Sequence, residues 1–170
     1  MRRVAPHWRG LLAAGTLLAA LPAAAADKKP EPGTGFGDWQ VECETAADGK
    51  ERCFLAQTQT LKENNTRLLK MSVGYIGPKG EAVLVALLPL GIDLRAGVAI
   101  KLDEGEQTAL VLQHCAQDGC VASKALDAKA LAAFIKARTL RLGILPYAGT
   151  QSVTMTVSLK GVAAGLGALR

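Results

Sequence analysis

The sequence predicts a mainly β protein, an antiparallel β-sandwich or barrel with one short inserted helix and a short C-terminal helix. Apolar and polar residues alternate along about eight to ten short segments, which is the period of a half-buried strand. Turn signals rich in Gly, Pro and Asp separate these segments. A chain of strands alternating with helices would instead predict a parallel sheet. The length of 170 residues fits one domain.

The N-terminus, residues 1–26, has the features of a cleaved Sec-type signal peptide. Three arginines lie within the first nine residues, an apolar run covers Leu11–Leu21, and Ala24–Ala26 provide a small-residue cleavage site before Asp27. The run is shorter than the about 20 residues that span a bilayer. We therefore expect an exported protein, periplasmic or associated with the cell envelope, with no transmembrane span in the mature chain.

The mature chain is close to neutral. Loss of the three arginines leaves 17 basic and 15 acidic residues, and only 4% of the chain is aromatic. Neither number supports binding to nucleic acid. Residues 27–35 are charged and rich in Pro and Gly, which predicts a flexible lead segment. Residues 36–170 are then a single disulfide-stapled β domain.

The predicted strands begin at Trp39. One of them, Ala82–Leu88, is apolar at every position and is expected to be buried on both faces. An exposed acidic turn is expected at Asp103–Glu106. The predicted strands are Trp39–Cys43, Arg52–Leu61, Leu69–Tyr75, Ala82–Leu88, Gly91–Leu94, Val98–Leu102, Thr108–Cys115, Leu140–Leu145 and Val153–Leu159.

The inserted helix is predicted to start after Asp127, a residue type that caps helix N-termini. Leu131, Phe134 and Ile135 follow at helical spacing, and Lys136 lies near the C-terminal end, where a cation complements the helix dipole.

The C-terminal segment also has helical spacing, three, four and three residues apart, although its glycines weaken an isolated helix. It has two interpretations, a helix that docks on a partner or membrane surface and a terminal turn packed back onto the β domain. The apolar positions are Leu159, Val162, Leu166 and Leu169.

The four cysteines predict two disulfides, Cys43–Cys53 and Cys115–Cys120. Each pair brackets an Asp-Gly turn, so each hairpin brings its two cysteines together. A zinc site is an alternative, but the spacings fit the usual ligand pairs poorly. A thiol redox function would favour a Cys-x-x-Cys pair, which the sequence lacks.

No catalytic constellation, metal site or cofactor is predicted. His114 is the one histidine of the mature chain, and it adjoins Cys115 rather than a serine in a nucleophile motif. Trp39 is a candidate ligand platform, or a core anchor because it shares a strand face with Val41. The acids considered for acid–base chemistry, or as solvated surface, are Asp38, Glu42, Asp93, Asp103, Glu104 and Glu106.

The chain contains four short motifs in a fixed order: Gly37-Asp38-Trp39-x3-Cys43, Pro89-Leu90-Gly91-Ile92-x-Leu94, Cys115-x3-Gly119-Cys120-Val121-Ala122 and Ser158-Leu159-Lys160-Gly161. Together they resemble the invasion-associated locus B family of exported bacterial proteins, over about residues 36–169. The resemblance implies a periplasmic or envelope-associated β-rich domain, with some members linked to host-cell invasion and with no established catalytic residues or cofactor.

Two positions depart from the family's pattern. Members often have a proline and an aromatic residue where this chain has Val111 and Leu112, and a phenylalanine where it has Val162.

The leading functional hypothesis is a non-enzymatic interaction module that binds a protein or an envelope component, with candidate binding residues Trp39, Leu166 and Leu169. By resemblance, it contributes to host interaction or invasion. One alternative is a hydrolase or lyase that uses carboxylates alone, which requires two acids to converge in a pocket. The other is a thiol redox protein, which requires an accessible cysteine with a lowered pKa.

Overall fold

The computed structural model describes residues 29–46 and 48–170. The predicted signal peptide, residues 1–26, lies outside these described residues. The elements within them are β1 Gly35–Phe36, β2 Trp39–Thr45, β3 Glu51–Thr60, β4 Arg67–Gly74, β5 Ala82–Leu88, β6 Val98–Leu102, β7 Gln107–Ala116, β8 Gly119–Leu126, α1 Ala128–Lys136, β9 Thr139–Ile144, β10 Val153–Ser158 and α2 Val162–Ala168.

The strands form one curled antiparallel sheet, a half-barrel, in the order β1-β2-β3-β4-β5-β8-β7-β6-β9-β10. Every pair of neighbours is antiparallel. The predicted fold class, with one inserted and one C-terminal helix, is therefore confirmed. Alternation along each strand places one set of side chains in the core, as period 2 requires.

Strand β5 shows the alternation most clearly. Ala82, Leu84, Ala86 and Leu88 are all buried, while the residues between them are partly exposed. The expectation that this strand is buried on both faces is therefore wrong. One face lies in the core, and the other is only half-covered.

Strand β7 joins the two parts of the half-barrel, which are strands β1–β5 with β8 and strands β6, β9 and β10. Its first residues, Gln107–Leu110, pair with β6, and Val111–Ala116 pair with β8. The register to β8 shifts between Leu112 and His114, as in a β-bulge. A bulge bends its strand and increases the local twist, which allows one strand to belong to both parts.

The two ends of the curled sheet meet along a seam between β2–β3 and β10. The Gln57 side-chain amide donates to the Ser158 carbonyl at 3.1 Å, and the Gln59 amide donates to the Thr156 carbonyl at 2.6 Å. The Trp39 indole N–H also donates to the Ser158 carbonyl, at 2.8 Å. Side chains, rather than a backbone ladder, therefore carry most of this closure.

Two glycines allow the backbone of the β1–β2 turn to approach the backbone that follows β10, at the end of the seam. The Asp38 N–H donates to the Lys160 carbonyl at 3.1 Å. Gly37 and Gly161 have φ angles of +62° and +98°, which favour glycine. A Cβ at Gly161 would lie 1.9 Å from the Phe36 carbonyl oxygen. Two of the motifs that carry the family resemblance thus meet here and have a structural role.

A side-chain cap begins helix α1, and close packing against the sheet holds helix α2. The Asp127 carboxylate accepts the Ala130 N–H at 2.7 Å, which confirms the predicted N-cap of α1. In α2, Val162 and Leu166 are completely buried. A Cβ at Gly165 would lie 2.6 Å from a Leu55 methyl carbon, so α2 packs closely on β3. This arrangement matches the second interpretation of the C-terminal segment, that of chain packed back onto the β domain.

Strand β8 and the short strand β1 have no counterpart among the predicted strands. Two other segments also differ from the sequence predictions. The strand predicted at Gly91–Leu94 is an isolated bridge between Ile92 and Pro146 followed by a turn, because Gly91 has a φ of +83° that no strand accommodates. The predicted lead segment, residues 27–35, is tied down at its end, since the Gly33 N–H donates to the Val41 carbonyl at 2.8 Å.

Candidate functional site

Both predicted disulfides are present. Cys43–Cys53 and Cys115–Cys120 each join directly opposed residues whose Cα atoms are 4.0 Å apart. Within the described part of the chain, the one group of three potential metal ligands consists of Cys43, Cys53 and Glu51. Because a disulfide sulfur is not a thiolate, these cysteines are not the zinc ligands that the alternative hypothesis requires.

His114 is exposed on β7 beside the Cys115–Cys120 disulfide, and it lies opposite Val121 of β8. No serine is placed next to it in the register, since Ser123 pairs with Val111. The structure thus keeps this histidine at the edge of the sheet.

Three of the candidate acids lie apart from one another, each with its own partner. Asp38 accepts the Ser158 hydroxyl at 2.5 Å at the seam. Glu42 of β2 pairs with a lysine of β4 at 2.6 Å. Asp93, between β5 and β6, binds Arg95 at 2.9 Å. The Arg95 side chain, followed by its backbone N–H, lowers the pKa of the Asp93 carboxyl.

Asp103 is a backbone cap rather than the solvated turn residue that the sequence suggests. Its carboxylate accepts the N–H groups of Arg138 and Thr139 at 3.1 and 2.9 Å, and the Thr139 hydroxyl at 3.0 Å. These backbone N–H groups hold the pKa of Asp103 below its usual value. Glu104 binds Arg141 at 2.9 Å, and this bond lowers the pKa of Glu104. A general acid at neutral pH needs a raised pKa, so neither carboxyl is tuned for that role.

A groove of about 600 Å³ lies between α1 and the strands β5, β6, β7 and β8. Several of the side chains that line it are buried in the core. Of the six candidate acids named from the sequence, two line this groove, Asp103 and Glu106. The residues that line it are Leu84, Ile100, Leu102, Asp103, Gly105, Glu106, Thr108, Lys124, Leu126, Asp127, Lys129, Ala130, Ala133, Phe134, Lys136 and Ala137.

The groove was not predicted, because it depends on where α1 lies over the sheet. The available sequence signal is the spacing of Ala130, Ala133 and Ala137, which gives α1 one flank of small side chains.

Exposed apolar side chains from neighbouring strands and loops lie around the other end of β6, the end at Val98. The Tyr147 N–H donates to the Gly91 carbonyl at 2.8 Å, which joins the two loops there. Pairing of Val98 with Leu110 places Val111 at the same level. We call this surface the apolar end; its members and their exposed fractions are Leu90 (57%), Leu94 (53%), Val111 (64%), Tyr147 (73%) and Val153 (47%).

The binding candidates named from the sequence lie mostly inside the protein. Trp39 is 2% exposed and Leu166 is completely buried, while Leu169 is half-buried. Trp39 already uses its indole N–H at the seam. The sequence did not single out the apolar end, because a lone exposed apolar residue in a strand or loop carries no periodic signal.

These features define a class, a small antiparallel β protein stapled by hairpin disulfides, with a cleft at one end and an apolar surface at the other. The chain belongs to the invasion associated locus B (IalB) protein family, whose sequence model matches residues 39–170.

The relatives agree with this family. The chain is 30% identical over 132 residues to Invasion protein B homologs from Brucella abortus strain 2308 and Brucella abortus biovar 1 strain 9-941, covering 77% of this chain and 75% of each relative. The crystal structure of invasion associated protein b from Bartonella henselae matches with a TM-score of 0.69 at 24% identity, covering 80% of this chain and 92% of that one.

Proposed function

We propose that this protein is an exported, non-enzymatic interaction module that binds a protein partner through the apolar end. The observation that carries the proposal is the exposure of five large apolar residues that the strand registers and loop hydrogen bonds place at the same end of β6. Contiguous exposed apolar surface marks interaction sites more often than scattered apolar residues do.

The unpaired edge of β7 provides a way for a partner to bind beside this surface, by adding a β-strand. From Val111 to Ala116, β7 pairs with β8 on one side, whereas β6 pairs only with Gln107–Leu110. The outer edge beyond Leu110 therefore has no strand partner among residues 29–46 and 48–170. It also has no lysine or proline, the residues that commonly protect sheet edges. An extended segment of a partner can add a strand here while its side chains contact the apolar end.

Export and a contribution to invasion belong to this proposal. Disulfides persist in oxidising compartments, which supports a periplasmic or envelope location. No helix in the described ranges is long and apolar enough to cross a membrane. The relatives are named as invasion protein B homologs, and the family is described as invasion associated locus B. The lowered pKa values of Asp93, Asp103 and Glu104 make these carboxyls poor general acids at neutral pH.

Site-specific photocrosslinking in the native cells tests the binding surface. A photoreactive residue placed at Val111 or Tyr147 should give the same discrete crosslinked protein. The control position is Ala163, which is exposed on α2. Leu94→Asp should abolish the crosslink, because a charge at the apolar end opposes docking. An identical crosslink from Ala163, or none from Val111 and Tyr147, would refute the proposed surface.

A further inference from the structure

The groove beside α1 has an apolar floor and three lysines at its rim. We propose that it binds an amphiphile with one linear apolar chain and an anionic head, of the kind that a medium-chain carboxylate represents. This site lies at the end of β6 opposite the apolar end, so it is separate from the protein-binding surface described above.

The floor suits an apolar chain. Leu84, Ile100, Leu126 and Phe134 line it and are each at most 7% exposed. The flank of α1 is lined by alanines, so little side-chain volume fills the space between the helix and the sheet. The volume of about 600 Å³ lies within the range of about 300–1,000 Å³ that is usual for small-molecule sites, and the mouth of a β-barrel is a common place for them.

The rim suits an anionic head. Lys124, Lys129 and Lys136 line the groove, and none of them forms an ion pair with another described residue. A ligand anion can therefore reach these ammonium groups without displacing a protein carboxylate.

The acids of the rim balance the lysines in formal charge, but two of the three have backbone partners. Asp103 accepts the N–H groups of Arg138 and Thr139, and Asp127 accepts an N–H of α1. Glu106 is the one lining acid without such a contact. The rim is therefore neutral overall. The three lysine ammonium groups, which have no ion-pair partner among the described residues, are the groups available to bind an anionic head.

The test is calorimetric titration of the purified, oxidised protein with octanoate, decanoate and dodecanoate below their micellar concentrations. Burial of the chain should tighten binding about fourfold for each added methylene, with one molecule bound per protein. Dodecyltrimethylammonium, which has the same chain and the opposite charge, should bind at least tenfold more weakly. Equal affinity for the two charges, or no dependence on chain length, would overturn the proposal.

A pair of matched variants locates the site. Ala133→Phe places a large side chain in the groove and should abolish binding. Ala132→Phe adds the same side chain to an exposed position of α1 that does not line the groove, and should leave binding unchanged. If both variants bind dodecanoate as the wild type does, the ligand sits elsewhere and the proposal fails.

A charge variant tests the rim. Replacement of Lys124, Lys129 and Lys136 by glutamine should weaken dodecanoate binding about tenfold in total and leave dodecanol binding unchanged. An equal effect on both ligands would contradict the anionic head. Because the Leu94→Asp variant leaves the groove intact, it should bind dodecanoate normally, so failure at one surface is distinguishable from failure at the other.

Discussion

Replacing Gly161 with alanine should lower the free energy of unfolding by about 2–3 kcal/mol. An alanine with the φ of +98° seen here costs about 1–2 kcal/mol. Its Cβ would also lie 1.9 Å from the Phe36 carbonyl oxygen, which forces the start of β2 away from the seam. The Asp38–Lys160 hydrogen bond is then lost, at about 1 kcal/mol.

Gly167 provides a control in the neighbouring helix. It lies within α2, has an ordinary negative φ, and has open space where a Cβ would be placed. Gly167→Ala should therefore raise the free energy of unfolding by about 0.5–1 kcal/mol, since alanine favours the helix. The same chemical change thus has opposite signs at two positions six residues apart.

Urea unfolding followed by circular dichroism measures both variants under oxidising conditions. The slope with urea should stay constant, so that a change of midpoint reports stability alone. A Gly161→Ala protein within 0.5 kcal/mol of the wild type would refute the reasoning, because the seam would then tolerate a side chain at its closest backbone contact.

Three further changes test other contacts. Joint replacement of Cys43 and Cys53 by serine should cost about 3 kcal/mol in urea unfolding, and an unchanged midpoint would contradict the stabilising role of this link. Asp127→Ala should cost about 1 kcal/mol by loss of the α1 cap, while an unaffected Tm would contradict it. Asp103→Asn should destabilise the protein at pH 7. Because the folded pKa lies below the unfolded one, near 3.9, its deficit should shrink as the pH falls below about 4, and a deficit independent of pH would oppose this explanation.

The local parts of the fold could be predicted from sequence because their causes are local. Alternation located most of the strands, although it did not single out β8. The Asp-Gly turns between paired cysteines predicted both disulfides. The capping residue and the 3–4 spacing located α1. The Gly91–Leu94 strand was wrong because an apolar pattern says nothing of the positive φ at its first residue.

The seam, the groove and the apolar end could not be predicted from the sequence. They depend on contacts between distant parts of the chain, and such contacts leave no periodic pattern. Gln59 reaches the Thr156 carbonyl across 97 positions of the chain, and neither residue is unusual for a strand. The groove likewise exists because α1 lies beside β6 and β8, and Asp103 becomes a cap only when the chain after α1 returns to it. The exposed position of Tyr147 follows from its loop rather than from its residue type.

The placement of the covalent links has a consequence for how the protein matures. Each cysteine has its native partner only 10 or 5 residues away, whereas Cys53 and Cys115 are much farther apart in the chain. In an oxidising environment, each hairpin can therefore form its native disulfide from local contacts alone, without the rest of the chain. The contact between Asp38 and Lys160 must wait for nearly the whole sequence, so closure of the seam comes after the chemistry of the cysteines.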